Sequence, residues 1–447
     1  MMNDDSSVSQ HRQHHNTITS SSAQHPTLIS ESVKLEKGVI VWWHRIMGKK
    51  GKKPAGKVAG SGGKKGGDKS GVSGGVLGVV FAVVVVVTAV VVARGGVGMT
   101  GVSGGPLKTA TLMANGGNNS ADAPPAEVVG FSTSAELSRA IEGYYSKHDL
   151  GRYQAESAEG GIQLMIYRGD GKPIRSLDDI ADDGSTRLYV VPTNEFFFWP
   201  GLYIGHKQEV YGVTDVDGNP LVLETVSLEP RVFVMENIVD QEIIDQVYGS
   251  VKEEMQRSTM YTPTDDGDAY HELSNARTSA QAWYNGNHPK TNELYAKMES
   301  LTKVPTFLSQ GMQVIEYGPN QHYEGHLDSF PPENYPNQPD FKNGRNRLIT
   351  VLFYLNDVEE GGQTCFMRGD DFYGRDGVIH DYGDCTHGPA VFPKTGRAVM
   401  FYNLEALGHM QGKIDTLSLH SGCDVIKGRK LAMNRWIWNK PYDPNAK

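Results

Sequence analysis

Residues 313–328 read QVIEYGPNQHYEGHLD, and this stretch sets how the rest of the chain is to be read. If Gln313–Tyr317 is a strand that resumes after the Gly/Pro/Asn break, His326 and Asp328 lie two apart on extended backbone and point to the same side. An imidazole and a carboxylate on one face begin a metal site. A histidine and an aspartate in a polar turn would give the same letters, so a third ligand has to come from elsewhere.

Working outward, the runs Met312–Glu316, Leu348–Leu355, Ala398–Tyr402, Thr416–His420 and Leu431–Trp438 read as strands separated by Gly, Pro, Asn and Asp. That spacing predicts a mainly β domain, a sandwich or jelly roll with helices packed outside. His420, closing the run that starts at Asp415, supplies a second imidazole. Two histidines and one carboxylate on one face of an octahedral ion leave three positions open, as in non-haem Fe(II) oxygenases. Zinc hydrolases use the same donor set, so the triad alone does not choose the reaction. Lys430 separates the two. On a strand running from Lys430, Ala432, Asn434 and Trp436 share its face, an unusual inward cargo for a β core. An ammonium group there is suited to the far carboxylate of a chelating 2-oxo acid; read from periodicity alone it is a surface lysine.

Upstream, Ser227-Leu228-Glu229-Pro230 reads as the opening of this domain, with Arg231–Val234 as its entering strand. Asp240 caps a helix carrying Ile243, Ile244, Val247, Tyr248 and Val251, and a second helix covers Asn292–Ser300. Residues 128–226 read as a small α+β accessory region. It has a helix starting at Ser134, strands at 161–167 and 187–191, and an aromatic run, Phe196–Trp199, suited to docking against the domain that follows.

The chain has 447 residues and a formal net charge of −9, which argues against nucleic acid as a partner of the whole. The charge is uneven. Residues 1–74 read as a disordered cytoplasmic tail whose stretch from Lys49 to Lys69 holds many lysines and a single acid, Asp68. Residues 75–93, GVLGVVFAVVVVVTAVVVA, are uncharged; as a helix they would span about 28 Å, enough to cross a bilayer. Lysines precede this span and few basic residues follow it, so the positive-inside rule leaves the N-terminus in the cytosol and sends the remainder across. The expected arrangement is a single-pass type II signal anchor, then a flexible stem at 94–127, then 128–226 and a catalytic domain at 227–447. Asn118-Asn119-Ser120 in the stem is a candidate glycosylation acceptor. Three cysteines, Cys365, Cys385 and Cys423, allow at most one internal disulfide and form no spaced zinc pattern.

From about Ser227 to Asn439 the chain resembles the catalytic domain of the prolyl 4-hydroxylases, within the 2-oxoglutarate- and Fe(II)-dependent dioxygenases. The resemblance rests on ordered motifs: Tyr317, Gln321, Tyr323, His326 and Asp328; Tyr354–Asp357 followed by Gly361-Gly362-Gln363-Thr364-Cys365-Phe366; then His420, Gly422, Cys423, Val425, Gly428, Lys430 and Trp436. It implies a double-stranded β-helix (jelly-roll) fold, Fe(II) held by His326, Asp328 and His420, and Lys430 on the C5 carboxylate of 2-oxoglutarate. Tyr317 is implied as a hydrogen-bonding helper, Thr364 as a further residue of that pocket, and Arg277-Thr278-Ser279 as architecture of the substrate channel. The implied reaction hydroxylates a proline of a peptide or protein to 4-hydroxyproline, consuming O₂ and turning 2-oxoglutarate into succinate and CO₂, with L-ascorbate rescuing oxidised iron. With the anchor, the family points to the membrane of the endoplasmic reticulum or Golgi and a lumenal catalytic domain. A hydroxylase of another residue or of a small molecule, and a noncatalytic membrane-tethered binding protein, are the competing readings. The chain departs from the family pattern at Asn320, Asp424 and Leu431, which bear on the substrate groove more than on the reaction.

Overall fold

The computed structural model describes residues 105–117, 123–153, 163–264, 268–369 and 377–442. The tail, the proposed membrane span and Asn118-Asn119-Ser120 lie outside the described residues. Among the described residues no helix is long and apolar enough to cross a membrane.

The chain enters through β1 (Lys108–Ala114) and β2 (Glu127–Phe131), continues through helix α1 (Ser134–Lys147), and returns as β3 (Leu164–Arg168) and β4 (Arg187–Pro192). These strands form one sheet in the order β2-β1-β4-β3, with β1 and β4 parallel. The 94–127 stem is therefore corrected, since its described part contributes the strand β1 at the middle of a sheet. Alternation decides it: Ala110, Leu112 and Ala114 face a core shared with Leu137, Ile141 and Ile166. The helix starts where a reciprocal capping box between Thr133 and Glu136 satisfies its first amide groups. The other sheet face contributes Met113, Tyr189 and Val191 to the main core, where Phe198 stacks on Tyr402 at 4.1 Å. The Trp199 indole N–H donates to the Leu301 carbonyl at 2.9 Å. The aromatic run is thus the docking seam its composition indicated.

Next come β5 (Lys207–Thr214), β6 (Pro220–Ser227), β7 (Val232–Met235), helix α2 (Gln241–Val251), the short β8 (Gln256–Arg257), the hairpin β9 (Met260–Pro263) and β10 (Ala269–Glu272), β11 (Ala280–Tyr284), helix α3 (Pro289–Thr302) and β12 (Met312–Tyr317). After β13 (Tyr323–His326) follow β14 (Arg347–Tyr354), β15 (Glu360–Gly361), β16 (Thr364–Cys365), β17 (Ala390–Val391), β18 (Ala398–Tyr402), β19 (His420–Gly422), β20 (Val425–Lys427) and β21 (Lys430–Trp438). Nine of these strands form the major sheet, β5-β6-β7-β18-β14-β21-β12-β11-β8, and four form the minor one, β13-β19-β16-β17. The mainly β, jelly-roll-like architecture is as expected. The domain border at 227 is not: β5 and β6 already belong to the major sheet, and Leu221 and Leu223 lie in its core. Pro230 marks a turn between neighbouring strands, and a turn residue by itself carries no information about domain limits.

Thr416–His420 is also corrected. Residues 416–418 form a 3₁₀ turn because the Asp415 carboxylate accepts from the Leu417 N–H and the Ser418 hydroxyl donates to the Asp415 carbonyl, a local alternative to the strand ladder. His420 starts β19 instead of ending a strand. The outer face of the major sheet carries Met312, Val314, Leu431 and Met433 against α2 and α3, so the strand period turns Gln313, Ile315, Tyr317, Lys430, Ala432 and Asn434 inward.

Candidate metal centre

β12 ends at Tyr317, and the chain turns through Gly318–Gln321 before β13. Asn320 takes a left-handed φ of 60°, which asparagine tolerates better than most residues, and its N–H donates to the Val425 carbonyl at 2.8 Å. The Gln321 side chain closes the turn by accepting from the Gly318 N–H at 2.7 Å. Asparagine at 320 therefore preserves the turn. At another departure, the Asp424 carboxylate lies 2.9 Å from His322 Nδ1 and ties the two turns together. Its main-chain carbonyl lies so close to Gly361, at φ 78°, that a Cβ there would come within 2.3 Å of it, which explains the glycine.

β13 places His326 at its end and β19 places His420 at its start, and the two residues pair across the minor sheet. Tyr323 stacks on the His326 ring at 3.5 Å. His326 Nδ1 lies 2.8 Å from the Glu324 carbonyl and His420 Nδ1 lies 2.9 Å from the Ser418 carbonyl. A carbonyl only accepts, so in each ring Nδ1–H donates and Nε2 is the nitrogen turned toward Asp328. The two Nε2 atoms sit 3.8 Å from Asp328 Oδ1 and Oδ2 respectively. The three ligand atoms lie within 4.8 Å of one another, a spacing a divalent cation could bridge. Burial, then the neighbouring His420, pulls His326 down to about 3, so the ring is neutral as a ligand must be. Burial would raise Asp328, but His420, His326 and Arg347 outweigh it and hold the carboxylate at about 2. The donor set, two imidazoles and one carboxylate on one side, fits a six-coordinate Fe(II) with open positions.

Lys430, at the start of β21, is 2% exposed and opens on the same cavity as Tyr317, Thr364, Asn434, His326 and His420. Its Nζ lies 5.2 Å from the Tyr317 ring centre and 5.5 Å from that of Tyr354. Burial pulls its ammonium down to about 7. The Tyr354 hydroxyl is hydrogen-bonded to Thr364 Oγ1 at 2.8 Å. All six residues named from the sequence, His326, Asp328, His420, Lys430, Tyr317 and Thr364, thus meet at one place. Arg277 stands behind them, its guanidinium 4.7 Å from the Tyr323 ring centre and 3.2 Å from Gln313 Oε1.

Arg347 and Thr350 escaped the sequence reading. A guanidinium N–H of Arg347 donates to the Asp328 carbonyl at 3.2 Å, and the Thr350 hydroxyl lies 2.7 Å from Asp328 Oδ2. The signal was a hydroxyl on the inward face of the apolar run Leu348–Leu355, in alternation with Leu352 and Tyr354. Cys385 and Cys423 form a disulfide that joins the 377–389 segment to the end of β19, and Cys365 is buried and free.

The family model for the 2OG-Fe(II) oxygenase superfamily matches residues 312–438. Prolyl 4-hydroxylase 2 of Arabidopsis thaliana is 33% identical over 230 residues, covering 50% of this chain and 73% of the relative. Probable prolyl 4-hydroxylase 10 of the same plant is 32% identical over 225 residues, covering 50% and 74%. Among solved structures, a viral collagen prolyl hydroxylase from Paramecium Bursaria Chlorella virus-1, as its 2OG complex, is 20% identical and covers 46% of this chain and 95% of its own, with a TM-score of 0.32.

Proposed function

Since the chain belongs to the prolyl 4-hydroxylases of the 2-oxoglutarate- and Fe(II)-dependent oxygenases, we propose that His326, Asp328 and His420 hold its iron and that Lys430 anchors its 2-oxoglutarate. The enzyme hydroxylates proline, with Fe(II) and 2-oxoglutarate as cofactor and cosubstrate and ascorbate as the family's usual reductant. Iron bound here supplies the oxidation of a substrate C–H bond coupled to decarboxylation of 2-oxoglutarate. The chain's own residues supply placement. The Glu324 and Ser418 carbonyls fix both imidazoles with Nε2 toward the centre. Tyr323, stacked on His326, covers one ring face from water. The Lys430 ammonium would pair with the far carboxylate of the cosubstrate, and Tyr317 and Thr364 line the same cavity.

The observation that carries the assignment is the convergence of the triad with an inward lysine on one cavity. The substrate is a proline-containing peptide or protein. The protein is anchored as a single-pass type II membrane protein, with its catalytic domain in the lumen of the endoplasmic reticulum or Golgi. Support comes from the uncharged 75–93 segment behind its lysine-rich flank, and from the Cys385–Cys423 disulfide, which suits an oxidising compartment. Succinate release from 2-oxoglutarate, measured with and without proline-rich peptides, tests the activity. Release that no peptide stimulates, from folded and iron-loaded protein, sinks the peptide assignment. Protease protection on intact membranes tests the topology, and digestion of the catalytic domain from the cytosolic side contradicts it.

A further inference from the structure

Thr350 stands in the middle of β14 and is 1% exposed; Asn403, just past β18, is fully buried. Thr350 Oγ1 lies 2.7 Å from Asp328 Oδ2 and 2.9 Å from Asn403 Nδ2. A threonine hydroxyl carries one proton, and an asparagine amide nitrogen only donates. The proton therefore goes to Asp328 Oδ2, and the hydroxyl oxygen must itself accept a hydrogen bond from the asparagine amide. This fixes the direction of the whole chain: Asn403 N–H to Thr350 Oγ1, and Thr350 O–H to Asp328 Oδ2. The scaffold fixes the partners as tightly. Antiparallel pairing sets Ile349 opposite Tyr402, and the Asn403 N–H donates to the Leu348 carbonyl at 2.9 Å. Proline hydroxylation as set out above gives neither side chain a task.

We propose that Asn403 and Thr350 are positioning residues that occupy Oδ2 of Asp328 and thereby reserve Oδ1 as its single oxygen toward the metal. The inference rests on the metal-site reading. Arg347 donates to the Asp328 carbonyl and stands 4.0 Å from Oδ1, so it steadies the residue from the other side while leaving Oδ2 to Thr350. Without the hydroxyl, the carboxylate is free to turn both oxygens inward and to fill a position that the cosubstrate or O₂ requires. The relay acts through Asp328 alone and touches no reacting atom.

Two substitutions in the full chain separate the hydroxyl from the packing. Thr350→Val keeps the shape and removes the donor; Thr350→Ser keeps the donor and removes a methyl. Metal affinity is read by chelator competition with Fe(II) and Co(II), and the ligand-field spectrum of the Co(II) form reports how Asp328 is bound. Thr350→Val should weaken metal binding about 10- to 100-fold and shift the spectrum, while Thr350→Ser stays within about threefold of wild type. Thermal unfolding of the metal-free proteins, expected to share one midpoint, keeps stability out of the comparison. Wild-type affinity and spectrum in Thr350→Val would overturn the relay, as would equal weakening in both variants, since packing would then be the cause. A wild-type protein that binds no divalent metal would instead overturn the site reading beneath it.

Discussion

The charge on Lys430 can be followed through the pH dependence of 2-oxoglutarate binding. Burial brings this lysine from 10.5 to about 7, whereas both carboxylates of 2-oxoglutarate stay ionised well below neutrality. Only the protonated side chain attracts the far carboxylate, so binding is linked to proton uptake. About half of the molecules carry the charge at pH 7, about a tenth at pH 8 and about a hundredth at pH 9. If the ion pair returns the lysine to a value near 10.5, the apparent Kd rises about fiftyfold between pH 7 and pH 9. The full coupling, about 3.5 pKa units, is worth at most about 5 kcal/mol. The sign in the ligand-free protein runs the other way from that of a surface lysine in an ion pair. Its folded value lies below the unfolded one, so the burial cost is complete below pH 7 and is recovered as pH rises toward 10.5. Calorimetric titration of 2-oxoglutarate into the Mn(II)-loaded protein, in buffers of different ionisation enthalpy, reads both the Kd and the protons taken up. Lys430→Met should weaken binding and abolish its pH dependence over this range. A wild-type Kd that is flat from pH 7 to pH 9 with no proton uptake refutes the reasoning.

Replacing His326 or His420 by alanine removes one of three donors, and should lower turnover more than about a thousandfold with loss of stoichiometric Fe(II) in a metal analysis. Opening the Cys385–Cys423 disulfide, which closes a separation of 38 residues, should cost about 4 kcal/mol of stability on the chain-entropy account; denaturant unfolding of Cys385→Ser with and without reductant checks this, because reductant should have no further effect on the variant. Trp199 is fully buried at the seam between the β1–β4 sheet and the major sheet, where its indole is hydrogen-bonded to Leu301. Trp199→Ala should cost about 3–5 kcal/mol in one cooperative transition. Two separated transitions would show that the two sheets unfold independently.

The residues that converge on the candidate site came from short local patterns in the sequence. H-x-D at 326–328 and the inward period of β21 depend on side-chain alternation alone, and alternation is local information. Thr416–His420 failed because its apparent strand pattern competed with an aspartate that could bond its own backbone two residues on, and the turn won. The stem failed for the opposite reason. Gly, Pro and Asn around 95–126 dominate its composition, while the few alternating apolar residues of β1 acquire meaning only once β4 lies beside them. The inward hydroxyl of Thr350 was a local signal, but its partner Asp328, about twenty residues away, became visible only when β14 was set against it, and so did the Arg347 contact. The disulfide was similarly closed to sequence reasoning, because three cysteines allow three pairings and only the fold brings Cys385 to Cys423.

This site is expected to place one hydroxyl on proline at the expense of 2-oxoglutarate. Its most direct test is to incubate the iron-loaded full chain with 2-oxoglutarate, ascorbate, O₂ and a proline-rich peptide, and then to locate any added oxygen by fragment mass and amino-acid analysis. The expected products are 4-hydroxyproline, one succinate for each hydroxyl formed, and none from the Asp328→Ala protein. Oxygen on a residue other than proline, or an unmodified peptide alongside active 2-oxoglutarate turnover, would contradict it.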